Sequence, residues 1–122
     1  MEPSEQPAQE QGSVGSGGEA LLVLITSASR EEAEDIARKL VEDRLAACVN
    51  IVPHVRSLFW WENQLSEEEE ILLIVKTRRS RFRALVLRVK ALHSYSVPEI
   101  IALPIVEGHT SYLQWIEDST SL

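Results

Sequence analysis

Residues 71–75 read ILLIV, and residues 21–26 read LLVLIT. Each run is too short for a buried helix but has the length of a strand. Because successive side chains of a strand point to opposite faces of a sheet, both runs place large apolar groups on both faces. Helices packed on the sheet would cover one of these faces. We expect another subunit to cover the second face, because a domain of this size has no further layer to spare.

A helix is predicted directly after the first of these strands. Ser29 and Glu32 have the S-x-x-E spacing of a capping box, which marks the start of a helix. Apolar side chains then recur at helical spacing, with charged side chains between them. The apolar positions are Ala33, Ile36, Ala37, Leu40, Val41 and Leu45.

A long hairpin is predicted in the middle of the chain. Residues 46–52 (AACVNIV) form its first strand, and Pro53 should mark an edge or a bulge because proline cannot donate to a strand ladder. The strand continues as residues 55–61, and Asn63 suits the turn because it tolerates a positive φ. The hairpin returns through residues 71–75 and would project beyond the sheet. Such an edge is a template for strand addition, so three copies can close a ring.

The remaining elements complete an α+β fold. Ser80 is expected to cap a second helix, residues 97–99 break the pattern, and residues 100–106 form a fourth strand with Pro104 at an edge or strand end. A last short helix spans residues 110–117. The order β-α-β-β-α-β, plus the C-terminal helix, predicts a ferredoxin-like sandwich: four antiparallel strands with two helices on one face.

Composition narrows the classes of function. Residues 1–19 are rich in Glu, Gln, Ser, Gly and Pro, which predicts a disordered tail before a folded domain at residues 20–122. The tail has neither the apolar core of a secretory signal nor the arginines of a transit peptide. No apolar run is long enough to span a bilayer. The net charge of -7 disfavours nucleic-acid binding. One cysteine and no disulfide favour a reducing, cytoplasmic setting.

Two specific motifs carry a family resemblance. Residues 44–50 read RLAACVN and residues 93–99 read HSYSVPE, and shorter matches occur at residues 61–63 (WEN) and 112–115 (YLQW). With these stretches, about residues 20–118 of the chain resemble the CutA family of divalent-cation tolerance proteins. The chain departs from the family pattern at four positions: Asn63 for a turn glycine, Ser94 and Ser96 for Pro and Glu, and Phe59 for Tyr.

The resemblance implies a function. It predicts a homotrimeric, non-enzymatic binding or regulatory protein linked to copper and other divalent ions, with no obligatory cofactor. Small-ligand sites would lie in clefts between subunits, as in the similar PII signalling proteins. The alternative is a trimeric interaction scaffold without metal binding, since animal members of the family are linked to anchoring of a membrane enzyme. No nucleophile–base pair, phosphate loop or paired-acid motif suggests an enzyme.

Candidate metal ligands are Cys48 and His93. A thiolate suits copper and other soft ions, although a lone cysteine among apolar neighbours is often a small buried hydrophobe. Both interpretations remain open for Cys48. The three histidines, His54, His93 and His109, share no metal-binding spacing. Copies of one histidine can still meet at a symmetry axis.

Candidate ligand-binding residues are Lys76, Tyr95, Glu99 and Trp61, which offer an ammonium, a hydroxyl, a carboxylate and an aromatic face. An interface salt bridge between Lys76 and a carboxylate such as Glu99 is an equally good interpretation of two of them. The acidic run at residues 67–70 is interpreted as a solvated hairpin arm, because alternating side chains do not converge on one ion. The basic stretch at residues 76–90 lacks the aromatic strand positions of an RNA-binding sheet.

Overall fold

The computed structural model of the chain describes residues 19–121 and shows an α+β fold with the predicted order of elements. The elements are β1 (Ala20–Ser27), α1 (Arg30–Glu42), β2 (Cys48–Trp61), β3 (Gln64–Arg78), α2 (Arg79–Leu92), β4 (Ile100–Pro104) and α3 (Thr110–Ser119). The four strands form one antiparallel sheet in the order β2-β3-β1-β4. The predicted tail at residues 1–19 lies outside the described residues, except for Glu19.

The core lies between one face of this sheet and two helices. Alternate residues of the central strands, Leu21, Val23 and Ile25 of β1 with Leu73 and Val75 of β3, are all buried. They cluster with apolar side chains of both α1 and α2, so these helices cover the same face. The helical partners are Ala33, Ile36, Leu40, Leu85 and Val89. We call this covered side the inner face of the sheet and the opposite side the outer face.

Helix α1 has a recognisable capping motif at each end. Ser29 is its N-cap, and the Ser29 hydroxyl accepts a hydrogen bond from the Glu32 backbone N–H at 3.1 Å, as predicted. At the other end, Leu45 N–H donates to Leu40 O and Arg44 N–H donates to Val41 O. This is a Schellman motif with Arg44 at φ 60°, where glycine is usual.

The hairpin of β2 and β3 contains two predicted irregularities. The register shifts between Val52 and Val55, so Pro53 lies in a bulge, and His54 there has φ 65°. At the tip, Glu62 and Asn63 both have positive φ values, 51° and 63°. Positive φ at both central residues is the requirement of a two-residue type I′ turn, whose twist matches that of the flanking strands.

Several predicted bounds were wrong. Strand β3 begins at Gln64 rather than at residue 71, because the acidic run pairs with β2 along the hairpin. Ser80 does not cap α2: the helix starts at Arg79, and Ser80 N–H donates to the Glu19 carboxylate at 3.3 Å. Val41, expected on the apolar side of α1, is 43% exposed. Strand β4 ends at Pro104, which pairs with Leu21 at the edge of the sheet, and the Ile105 N–H adds one further bond to Ala20 O at 3.0 Å.

Three arginines hold the C-terminal helix. Arg44 donates to Ser119 O at 3.2 Å, Arg78 donates to Thr120 Oγ1 at 2.9 Å, and Arg81 donates to Thr120 O at 2.8 Å. The last carbonyl groups of a helix lack intrahelical partners and carry partial negative charge, so guanidinium groups suit them. Within residues 19–121, no helix combines the length and apolar character needed to cross a membrane.

Candidate functional site

The outer face of the sheet is apolar and is not covered by the helices that pack on the inner face. Register places Leu22 beside Lys76 and Leu103, and it places Leu24 beside Ile74 and Ile101. These side chains therefore form continuous rows across three strands. Ile101 and Leu103 are 51% and 45% exposed, whereas the inner-face core residues of the two central strands, β1 and β3, are buried. The prediction that β1 and β3 place apolar side chains on both faces is confirmed.

One corner of the outer face is polar. Cys48 of β2 pairs with Lys76 of β3, and Asn50 follows Cys48 on the same face of β2. The side-chain oxygen of Asn50, Oδ1, accepts a hydrogen bond from Lys76 Nζ at 2.5 Å, and the Cys48 thiol lies 3.9 Å from the same oxygen. Cys48 is half-buried and lies outside the inner core. Its sulfur therefore lies on the face opposite the core that α1 and α2 cover.

A second polar cluster lies at the other end of β1 and is mostly buried. The His93 ring is fully buried, and its Nε2 lies 2.7 Å from Thr26 O. Its Nδ1 lies 3.0 Å from the Tyr95 backbone nitrogen. Because an amide N–H can only donate, Nδ1 accepts this bond and Nε2–H donates to Thr26 O. Within the chain, both ring nitrogens of His93 already have partners.

Tyr95 extends this cluster to a buried carboxylate. The Tyr95 hydroxyl donates to Glu70 Oε2 at 2.8 Å, and the Tyr95 and His93 rings lie 4.7 Å apart. Burial raises the pKa of the Tyr95 phenol well above its usual range, and the hydrogen bond to the charged Glu70 raises it further. The nearby carboxylates of Glu68 and Glu32 act in the same direction. The cluster therefore lies in a negative local field.

The prediction that residues 67–70 form a solvated arm was wrong for Glu70. Glu67, Glu68 and Glu69 are exposed, as expected for a solvated arm, but Glu70 is only 6% exposed. Two exposed members are paired within the hairpin, Glu69 with His54 at 2.8 Å and Glu67 with Arg56. The position of Glu70 in the sequence could have predicted its burial. Glu70 directly precedes the apolar run of β3, and that part of the strand already lies within the domain rather than in the projecting hairpin.

Glu32 is the other functional candidate that sequence reasoning missed. It was expected only as a capping-box member, yet its carboxylate accepts hydrogen bonds from Ser27 Oγ at 2.9 Å and from Ser94 N–H at 3.1 Å. The same carboxylate lies 3.3 Å from His93 Nδ1, and the Glu32 side chain is 16% exposed. We define the buried cluster as Glu32, Glu70, His93 and Tyr95.

The predicted site residues fall into separate regions of one chain. Cys48 belongs to the row of Leu22, and His93 binds Thr26, four residues further along β1. At about 3.3 Å per residue, these positions are about 13 Å apart along the strand. Among residues 19–121, no three His, Cys, Asp or Glu side chains are grouped as a metal site would require.

The other candidate residues are also dispersed. Lys76 binds Asn50, and Glu99 is exposed and forms no ion pair with Lys76 or any other residue in the part of the chain that the structure describes. Trp61 lies beside the hairpin turn, opposite Gln64, and is 54% exposed. It is twelve β3 positions away from Lys76 by register. Within one chain, His93 and Tyr95 therefore lie in contact, but the other predicted site residues lie apart from them.

Comparison with known proteins resolves the family. The family model described as CutA1 divalent ion tolerance protein matches residues 21–119. The chain belongs to the CutA1 family. A divalent-cation tolerance protein CutA from Thermus thermophilus is 54% identical over 99 residues, which are 81% of this chain and 96% of that protein. The solved structure of the Thermus thermophilus protein superposes with a TM-score of 0.82 at 53% identity, covering 84% of this chain and 99% of that one.

CutA relatives differ in length. The protein CutA 1, chloroplastic, from rice is 46% identical over 101 residues, which are 83% of this chain and 57% of the rice protein. The chain therefore spans little more than half of this CutA relative but almost all of the bacterial one. The CutA match includes the β-strands, both inner-face helices and α3, so both polar clusters lie within the shared region.

Proposed function

We propose that the protein is a homotrimeric, non-enzymatic binding protein of the CutA type, with a ferredoxin-like subunit, that binds copper or another divalent ion. The observation that carries this proposal is the apolar outer face of the sheet. Leu22, Leu24, Leu72 and Ile74 are half-buried there, beside the exposed Ile101 and Leu103. Contiguous apolar surface of this kind is typical of an interface between subunits.

The strand edges support three copies. Strand β4 is one edge of the sheet, and the outer part of β2 is the other. The projecting hairpin exposes Leu58, Trp60 and Leu65 by 59%, 75% and 66%. A hairpin that lies along the edge of a neighbour would cover both its own apolar side chains and an open strand edge. Three copies related by a cyclic axis leave neither hairpin nor edge unpaired.

The assembly would place the polar corner of the outer face between subunits. Cys48 offers a soft sulfur ligand, which copper prefers, and the Asn50 oxygen lies beside it. Copies of Cys48 are the proposed metal ligands together with His93, whose ring would have to give up its bond to Thr26 O or to the Tyr95 N–H in order to bind an ion. Lys76, Tyr95, Glu99 and Trp61 are the proposed contacts for a small ligand in the same clefts. The family description, a divalent ion tolerance protein, supports an ion as the ligand.

Mass and binding measurements test the proposal. Light scattering after size exclusion should give three times the 13.7 kDa mass of one chain. Titration calorimetry with Cu(II), with Cu(I) under reduction and with Zn(II) should show heat of binding with at least one ion. Cys48→Ser should weaken binding, whereas His109→Gln, an exposed histidine control, should not. A monomer at micromolar concentration, or no heat with any ion, would contradict the corresponding half of the proposal.

The proposed setting is the cytoplasm, where reducing conditions preserve a single unpaired thiol. The rice relative is described as chloroplastic, so members of the family occupy more than one compartment. Fractionation of cells that express the full chain tests this assignment. Recovery of the protein mainly in an organelle or membrane fraction would contradict it.

A further inference from the structure

We infer that Glu32 is the positioning residue of the loop that carries Tyr95, and that Glu32 holds the Tyr95–Glu70 pair in place for the proposed cleft between subunits. This inference rests on the proposed function for the use of the cleft. The positioning itself rests on contacts within one chain. It also depends on Ser94, whose backbone N–H donates to the Glu32 carboxylate.

The first step is the unusual use of a capping-box carboxylate. In a capping box, the Glu side chain returns to the N-cap backbone N–H of its own helix. The Glu32 backbone N–H does bind Ser29 Oγ, but the Glu32 carboxylate is directed elsewhere. Its Oε2 accepts from Ser27 Oγ at the end of β1, and its Oε1 accepts from the Ser94 N–H. Glu32 therefore joins the end of a strand to the loop after α2.

The second step is the connection from Glu32 to Tyr95. The Ser94 N–H binds the Glu32 carboxylate at 3.1 Å, and the His93 ring lies beside the same carboxylate, with Nδ1 at 3.3 Å but with no proton on Nδ1 to donate to it. His93 is itself fixed to β1 through Thr26 O, and Nδ1 accepts the Tyr95 N–H. The Tyr95 ring is thereby held against the His93 ring, and the Tyr95 hydroxyl reaches Glu70 on β3. Fixing residues 93–95 therefore fixes the phenol.

The third step concerns Ser94. A proline at this position would fix its own φ but would have no N–H to donate. Ser94 is exposed and lacks that ring constraint, but it supplies the N–H that binds Glu32 at 3.1 Å. In this chain, the hydrogen bond to Glu32 restricts the loop at Ser94, as a proline ring at that position would. The Glu32–Ser94 bond therefore requires a residue other than proline at position 94.

The test compares Glu32→Ala with Glu31→Gln. Glu31 is an exposed acidic residue in the same first helical turn, so its replacement removes a charge from the helix start without touching the loop. The sequence has two tyrosines, so Tyr112→Phe as a background leaves Tyr95 as the single phenol. All variants are measured as the full chain, and circular dichroism and molecular mass confirm that fold and assembly are retained.

Phenol absorbance gives the main readout. Near pH 11, about one unit above the ordinary tyrosine pKa, Tyr95 should stay largely protonated in the parent and in Glu31→Gln. It should ionise in Glu32→Ala, because the released loop no longer holds the phenol against Glu70. At neutral pH, exchange of the Tyr95 amide hydrogen should accelerate by about tenfold or more in Glu32→Ala, the factor expected for loss of a hydrogen bond to a charged group.

Two further variants distinguish loss of the Glu32–Ser94 contact from a general loss of structure. Glu32→Gln keeps one acceptor oxygen, so it should give values between the parent and Glu32→Ala. Glu32→Ala combined with Ser94→Pro should restore slow exchange and a protonated phenol, because the ring fixes the loop again. Unchanged phenol ionisation and amide exchange in Glu32→Ala would overturn the inference. If the double variant shows phenol ionisation as extensive and amide exchange as fast as those of Glu32→Ala, the proline-like role of the Glu32–Ser94 bond is overturned.

Calorimetry with copper and zinc distinguishes this inference from the proposed function. If the phenol responds to Glu32→Ala but no ion binds the parent protein, the positioning role is supported and the metal function fails. If ions bind the parent protein but Glu32→Ala leaves both Tyr95 readouts unchanged, the proposed function is supported and the positioning role fails. Ion binding that weakens in Glu32→Ala and recovers with Ser94→Pro would support both.

Discussion

The two faces of the sheet have similar composition but different surroundings. On the inner face, Leu73 and Val75 are fully buried against two helices of the same chain. On the outer face of the same strand, Leu72 and Ile74 are half-buried and lie outside the core that α1 and α2 cover. Hydrophobic side chains alone therefore do not show whether a face is covered within the chain or between chains.

This difference separates two kinds of stability. Burial on the inner face stabilises each subunit and does not depend on protein concentration. Burial on the outer face stabilises the proposed assembly, so its contribution follows mass action. Neighbouring residues of β3 allow the two contributions to be measured in one strand, because Leu72 and Leu73 point to opposite faces.

The largest expected effect is that of Leu73→Ala on the inner face. It should lower the free energy of unfolding by about 2–5 kcal/mol, because it removes buried methyl groups and leaves a cavity. Urea unfolding at several protein concentrations should show the same loss each time. Leu87→Ala is the control, since Leu87 is 63% exposed, and its change should stay within about 0.5 kcal/mol. Equal losses in both variants would contradict the assigned core.

The matched change on the outer face is Leu72→Ala. We expect a smaller loss, about 1–2 kcal/mol per subunit, because in the proposed assembly this side chain becomes fully buried only when another copy covers it. The loss should appear as weaker self-association, measured by light scattering over a dilution series. A loss as large as that of Leu73→Ala and independent of concentration would show that Leu72 is already covered within one chain.

The start of helix α1, which packs on the inner face, allows the contribution of an N-cap to stability to be measured. Ser29→Ala should lower the free energy of unfolding by about 1 kcal/mol, because it removes the acceptor for the Glu32 N–H. Ser80→Ala should change it by less than about 0.5 kcal/mol, because the Ser80 side chain caps no helix. Thermal or urea unfolding compares the two serines, and the reverse order would contradict the observed helix starts.

The smallest expected effect is a pH dependence at Tyr95. A raised phenol pKa in the folded state means that stability is complete below the unfolded pKa of about 10 and falls as the pH rises above it. The stability advantage of the parent over Tyr95→Phe should therefore shrink between about pH 9 and pH 11, by less than about 1 kcal/mol because solvent screens the partly exposed ring. Urea unfolding measures it. A constant or growing advantage would contradict the raised pKa.

Local patterns in the sequence were enough to predict most of the fold. Ser29 starts α1, Pro53 lies in a bulge and Asn63 lies in a turn, because each residue type has a short-range physical preference. Ser80 showed the limit of this reasoning. A serine before an apolar stretch resembles a cap, but Arg78 precedes the helix and the observed start is set by where β3 ends.

The site was less predictable than the fold. His93 and Tyr95 were expected as site residues, and the structure brings them together. Glu32 and Glu70 were missed because their partners are distant in sequence: Glu32 binds Ser94, 62 positions away, and Glu70 binds Tyr95, 25 positions away. Neither helical spacing nor strand alternation reports such contacts. The roles of Cys48, Lys76, Glu99 and Trp61 depend on neighbouring copies and remain predictions.

The arginines around α3 have a consequence for protease resistance. Terminal helices are often the first segments of a domain to be cut, because few contacts hold them. Here Arg44, Arg78 and Arg81 reach the final turn from the end of α1, from β3 and from α2. A protease could enter α3 only after several distant parts of the chain had released it together. In limited digestion, cleavage within α3 should therefore appear late, at the pace of whole-domain opening.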